Sequence, residues 1–255
     1  MQTHIKILEK VKPKNAILVE GLPGIGNVGR VAAGYMISQL KMKKIAELYS
    51  PYFLPLVIMQ QNAVAVPLKN EFYYLKHPKN DIILLTGDTQ SISPEGHYDV
   101  CEKILDYTQS LGIKRIITLG GFAEGKPVTN PQVIGAVNDK NLLKKYNKYD
   151  IKFAKDNTIG TIVGASGLLL GLGSVRNMEG LALLGQTMGY PVVTDPKAAD
   201  KILQILIKVL KINMDLKKLE NIISEMEDHL QKNDKIHKQS LEQLTKQKDD
   251  MKYIG

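Results

Sequence analysis

Up to about residue 200, short apolar runs closed by glycine-bearing turns alternate with longer amphipathic stretches. Ala16-Ile-Leu-Val-Glu20 predicts a buried strand, followed by the loop Gly21-Leu-Pro-Gly-Ile-Gly-Asn-Val-Gly29 and a helix over 31–40. Residues 45–48 and 56–59 are further apolar runs, and 63–68 with 71–75 read as a meander. Asp81-Ile-Ile-Leu-Leu-Thr86 is the clearest buried strand, four apolar residues bounded by polar ones. Residues 98–111 predict a helix with Val100, Ile104, Tyr107 and Leu111 on one face and Gly112 as its stop. Arg115-Ile-Ile-Thr-Leu119 then predicts a strand running into Gly120-Gly121. Strands alternating with helices of this length imply an α/β fold, its sheet mostly parallel and covered on both faces.

The texture changes near residue 195. Asp195-Pro196 is a cap-plus-proline helix start, and 198–212 is strongly helical. Asp215 caps a second helix in which Leu216, Leu219, Ile223, Met226 and Leu230 recur at heptad spacing. Asn233 and His237 interrupt the repeat. So short a seam fits a helix docked on its own domain or bundled with a partner. Leu219, Ile223, Met226 and Leu230 are the residues expected at an interface between copies. The division is a core over 1–200, a helical C-terminal extension over 201–232 and a mobile polar tail over 233–255.

Charge changes this picture little. The 255 residues carry a formal +8, yet 214–255 hold 8 Lys against 9 acidic side chains, so the remainder has 26 basic against 17 acidic. Only Arg30, Arg115 and Arg176 are arginines. Scattered lysine gives solubility and weak attraction to polyanions, whereas bidentate readout of bases and phosphates favours arginine. A nucleic-acid partner is therefore not expected. No apolar stretch reaches the roughly 18 residues of a membrane span. The start, Met1-Gln-Thr-His-Ile-Lys, shows no secretory pattern, so a cytoplasmic protein is expected. Cys101, the single cysteine, can form neither an internal disulfide nor a cysteine metal site.

Gly24-Ile-Gly26-Asn-Val-Gly29 matches the G-x-G-x-x-G pattern of dinucleotide folds, with Glu47 as a candidate ribose-binding acid. Against that reading, Pro23 stiffens the turn and Glu20 places a negative charge where phosphates would approach. The alternative is a tight strand-to-helix turn, with Gly24 or Gly26 needing positive φ. The segments after the other strands, Gly87-Asp-Thr-Gln90 and Gly120-Gly121-Phe-Ala-Glu124, stand where open α/β enzymes place their sites. Ser91, Ser93 and Ser166 have no triad partner nearby in sequence, and His77 and His97 stand alone. Cys101 reads as a packing residue. The expectation is no catalytic residues, no cofactor and no metal. A nucleoside- or dinucleotide-binding enzyme is the alternative.

Taken together, these glycine segments resemble ordered landmarks of the proteasome assembly chaperone family, in particular its archaeal Pba-type branch. The landmarks are Gly21-Leu-Pro-Gly-Ile-Gly-Asn-Val-Gly29, Thr86-Gly-Asp-Thr-Gln90, Thr118-Leu-Gly-Gly-Phe-Ala123, Pro131-Gln-Val-Ile-Gly-Ala136, Ile162-Val-Gly-Ala-Ser-Gly-Leu-Leu-Leu-Gly171 and Gly180-Leu-Ala-Leu-Leu-Gly-Gln-Thr-Met-Gly189. The likeness ends with Asp195-Pro-Lys-Ala-Ala199. It implies a three-layer α/β/α core related to purine nucleoside phosphorylase, with a helical C-terminal extension. It also implies ATP-independent action, homo-oligomers, and binding to proteasome α subunits or the core-particle α-ring. Several members dock through a C-terminal hydrophobic–tyrosine–any-residue motif. Met251, Lys252, Tyr253, Ile254 and Gly255 would be the equivalent here, imperfectly, because Tyr253 is third from the end and Ile254 takes the tyrosine position.

Overall fold

The computed structural model describes residues 2–61, 63–153, 160–190, 194–219 and 221. In chain order the elements are β1 (His4–Ile7), β2 (Ile17–Glu20), α1 (Val28–Gln39), β3 (Lys43–Tyr49), β4 (Val57–Met59), β5 (Ala65–Pro67), β6 (Asn70–Leu75), β7 (Ile82–Gly87), α2 (Pro94–Ser110), β8 (Arg115–Ala123), β9 (Val133–Val137), α3 (Asn141–Tyr146), β10 (Lys152–Phe153), α4 (Ala165–Val175), β11 (Glu179–Thr187) and α5 (Pro196–Leu210). One sheet runs β1-β3-β6-β7-β2-β8-β11-β9-β10, and β4 pairs with β5 as a separate hairpin.

The expectation of a mostly parallel sheet is corrected: the sheet is mixed. Its centre, β7-β2-β8-β11, is parallel, but β1–β3, β3–β6, β6–β7 and β11–β9 are antiparallel. The physical reason lies in the connections. A parallel neighbour needs a crossover of a dozen or more residues. The link 76–81 between β6 and β7 is too short for one, so the chain turns straight back.

Side chains alternate across each central strand, and both sides are apolar. Ile17 and Val19 of β2 join Ile117, Leu119, Leu181 and Leu183 in a core beneath α1 and α5. Leu18, Ile83, Leu85 and Ile116 point the other way, beneath α2 and α4. The near-continuous apolar runs of the sequence are strands buried on both faces.

Helix α2 begins earlier than its apolar face predicts. Ser93 caps it, its Oγ accepting the Gly96 N–H at 3.1 Å, with Pro94 at the first helical position. Ser93→Ala is expected to cost about 1 kcal/mol in urea unfolding. An unchanged midpoint would show that this cap carries no stability. Asp195 caps α5 in the same way, accepting the Ala198 N–H at 3.0 Å.

Helix α5 runs through residue 200, and its Ile202, Leu203, Leu206 and Leu210 are buried in the core beneath α1. The core therefore continues past that position. The chain then returns over α1, where the Tyr35 hydroxyl donates to the Asp215 carbonyl. Leu219 is buried in the core of its own chain. Ile223, Met226, Leu230 and residues 251–255 lie outside the described residues. Among the described residues no helix is long and apolar enough to cross a membrane.

Candidate functional site

The carboxyl ends of β2 and β8, the loop before α4 and the first turn of α2 enclose a cleft of about 560 Å³. Its walls are apolar, with Leu22, Leu119, Ile162 and Leu184 inside and Ile25, Phe122 and Val163 exposed at the rim. Among the described residues no Lys, Arg, Asp or Glu lines it; the polar groups are those of Gln90, Ser91, His97, Thr161 and Ser166 with the backbone. Gln90 bridges two sides of the opening. Its Nε2 donates to the Pro23 carbonyl at 2.6 Å, and its Oε1 accepts the Ala165 N–H, at the start of α4, at 2.9 Å.

Beside the cleft lies Glu20, the last residue of β2, fully buried. One carboxyl oxygen accepts the Leu22 N–H at 2.9 Å and the other accepts the Ser166 hydroxyl at 3.0 Å. Ser166 lines the cleft, so this serine connects the buried acid to it. Burial raises the Glu20 pKa to about 7, against the opposing pull of the hydrogen bonds from Leu22 and Ser166. Thr118, opposite Glu20 in the β2–β8 register, has a buried hydroxyl with no hydrogen-bond partner among the described residues. Burial, with smaller contributions from Glu20 and Glu102, pushes the Cys101 thiol up to about 12. The cysteine is buried in the core beneath α2 and α4. So protonated a thiol is a packing group.

Packing and backbone geometry account for three of the loop's glycines. A Cβ on Gly21 would lie 2.3 Å from the Gly29 carbonyl oxygen, and one on Gly29 would lie 2.2 Å from the Leu119 carbonyl oxygen. Helix α1 thus rests against β8 with no room for a side chain. Gly26 has φ +61°, the left-handed region that favours glycine. Gly24 differs from the expectation: its φ of −166° is extended, and its added Cβ would meet nothing closer than 3.7 Å.

Glu47 does not serve the loop. It lies on β3, three strands from β2, where a dinucleotide fold would need it on the neighbouring strand. Its carboxylate accepts from Lys69 Nζ at 2.5 Å and from the Tyr49 hydroxyl at 2.9 Å. Burial works to raise its pKa, but these bonds and the charges of Lys69 and Lys44 outweigh it and hold the group below the usual carboxylate range.

Of the sequence-flagged polar residues, Ser91, His97 and Ser166 line the cleft, whereas Ser93 and His77 do not. Ser93 caps α2, and Ser91 Oγ donates to the Ser93 carbonyl at 3.0 Å. His97 lines the cleft, and burial lowers its pKa. Among the described residues no serine hydroxyl hydrogen-bonds a histidine. Nor do three or more His, Cys, Asp or Glu side chains gather to hold a metal. Sequence reasoning missed the Glu20–Ser166 pair and the Gln90 bridge. The available signal was an acid closing an otherwise apolar strand.

The fold and the cleft define an α/β protein whose helix α1 is set glycine-first against the sheet, beside an apolar-walled opening. The chain belongs to the PAC2 family, whose sequence profile matches residues 18–233. It is 36% identical to protein MJ1210 of Methanocaldococcus jannaschii over 263 residues, the full length of both. Its fold is similar to that of Pyrococcus furiosus PbaB, described as an archaeal proteasome activator. The TM-score is 0.82 and the identity 40%, covering 91% of this chain and 98% of that one. Pyrococcus furiosus PbaA, described as an archaeal homolog of proteasome-assembly chaperone, gives a TM-score of 0.75 at 27% identity, over 94% and 98%.

Proposed function

We propose that this chain is a proteasome assembly chaperone or activator that works by binding and not by catalysis. The observation that carries the reading is its 40% identity, over nearly the whole of both chains, to a protein described as a proteasome activator. In this reading its partners are α subunits or the α-ring of the core particle. They are contacted in part through Met251, Lys252, Tyr253, Ile254 and Gly255. It acts in the cytoplasm as a homo-oligomer, with Ile223, Met226 and Leu230 between copies. Leu219 instead anchors the segment to its own core. Several weak tails facing one ring gain strength from multivalency. A three-layer, phosphorylase-like core is part of the same reading, supported by helices on both sheet faces.

The alternative, a nucleoside- or dinucleotide-binding enzyme, has the position of the cleft in its favour and the position of Glu47 against it. The test is co-sedimentation with purified archaeal core particles. The full chain is expected to bind, and deletion of residues 251–255 to abolish binding while circular dichroism and light scattering stay unchanged. Undiminished binding by the truncated protein would move the contact to the α/β core. No binding at all, together with a melting shift on adding NAD or nucleosides, would replace the proposal with the enzyme reading.

A further inference from the structure

A second cleft, of about 660 Å³, lies at the opposite edge of the sheet, where the chain enters β2 and β7. It is lined by Lys12 and Lys14 from one approach segment and by Lys76, His77 and Lys79 from the other. Asp81 ties the two segments together. Its carboxylate accepts the Lys14 N–H at 2.8 Å, the His77 N–H at 2.9 Å and the Tyr74 hydroxyl at 2.9 Å. Its own N–H donates to the Lys14 carbonyl at 3.1 Å. Burial works to raise the Asp81 pKa, but these three donors and the nearby Lys76 hold it below the usual range. The aspartate is a clip, and the lysines stand outside it.

The four lysines are exposed, and among the described residues none lies within 4 Å of a carboxylate. Elsewhere Lys43, Lys44, Lys69 and Lys145 are ion-paired, while among the described residues Lys140 and Lys144 are unpaired like these four. The positive edge continues to Arg115, whose guanidinium donates to the Asn15 carbonyl and to Asn80 Oδ1. Four lysines lining a cleft around a single, fully hydrogen-bonded aspartate make it a positive concavity. Such a concavity concentrates field on an anion entering it.

We infer that this basic cleft docks an acidic peptide segment of a partner protein. Charge calls for an anion, and three features favour carboxylates over a nucleic acid. Lysine offers compact point charges in place of the arginine forks that read phosphates and bases. The Lys14 and His77 backbone N–H groups, which could cradle a phosphate, are already taken by Asp81. The cleft's phenol ring, Tyr74, packs against the core beneath α2 with its hydroxyl on Asp81, so this ring is not free to stack on bases.

The experiment is fluorescence anisotropy of a labelled hexaglutamate peptide with the full-length protein at low ionic strength, followed by salt titration. Lys76→Glu with Lys79→Glu is expected to weaken binding by about tenfold or more. The same charge change on α3 and its cap, Lys140→Glu with Lys144→Glu, should alter it by no more than about twofold. If the first pair lowers the melting temperature, Lys76→Gln with Lys79→Gln replaces it, with a smaller loss in the same direction. Equal losses from both sites would overturn the inference, because net charge alone would then explain binding. No hexaglutamate binding, or tighter binding of an equally charged oligothymidylate, would overturn it as well.

Discussion

Gly29→Ala is expected to destabilise the protein by about 3 kcal/mol or more, the upper range of overpacking costs. The methyl group would sit 2.2 Å from the Leu119 carbonyl oxygen and 2.9 Å from its carbon. Neither atom can yield cheaply. Leu119 belongs to β8, which pairs with β2 on one side and β11 on the other. Relief would have to come from lifting α1 off the sheet, opening the core around Val28, Val31 and Ala32. Gly24→Ala in the same loop is the internal control, expected to be nearly neutral because its Cβ would meet Gln90 Nε2 at an ordinary contact distance of 3.7 Å. Urea unfolding of the two variants at one pH decides the matter. Equal midpoints would mean that the approach of helix to strand is not what the third glycine of the motif provides.

Glu20→Gln should flatten the pH dependence of stability. The folded pKa is about 7 against an ordinary 4.5, so the fold favours the protonated acid. For a carboxyl group raised on folding, the cost is absent below the unfolded pKa. It grows through the window between about 4.5 and 7 and is complete above it. That difference corresponds to roughly 3 kcal/mol at pH 8. Glutamine keeps an oxygen for the Leu22 N–H and carries no charge. The Ser166 hydroxyl can turn to the Leu119 carbonyl, 3.4 Å away. The variant is therefore expected to match the wild type near pH 4.5 and to exceed it increasingly up to pH 8. Parallel stability curves over that range would show that Glu20 titrates normally.

The parts legible in the sequence are those with a local signature. β2, β7 and β8 announced themselves as buried apolar runs, and α5 as an aspartate–proline start followed by a stripe of leucine and isoleucine. Strand direction has no such signature, since a run buried on both faces reads alike whichever way its neighbour points. The short link 76–81 did mark the β6–β7 reversal, but the antiparallel pairings of β1, β3 and β9 join strands distant in sequence and left no local mark. Glu47 has a plausible spacing from the glycine loop, but its place in the sheet could not be read locally, because the chain after α1 goes to an outer position before returning. Glu20 was visible as a charge, but its partner Ser166 is 146 residues away, so neither its burial nor its raised pKa could be read locally. The basic cleft was invisible for a similar reason. Lys12 and Lys14 are separated in sequence from Lys76 and Lys79, and neither pair stands out from the chain's general lysine content.

The Gln90 bridge bears on how the apolar cleft behaves as a mechanical object. One amide holds the glycine loop through Pro23 and the start of α4 through Ala165, and both bonds leave the same planar group. Separating the two sides means breaking one of them in a partly buried site, where a lost hydrogen bond is replaced less well than in open water. The opening is thus spanned by a tie-rod, and its width is set before anything enters. Whatever fits is selected by shape, and little ordering entropy remains to be lost on entry.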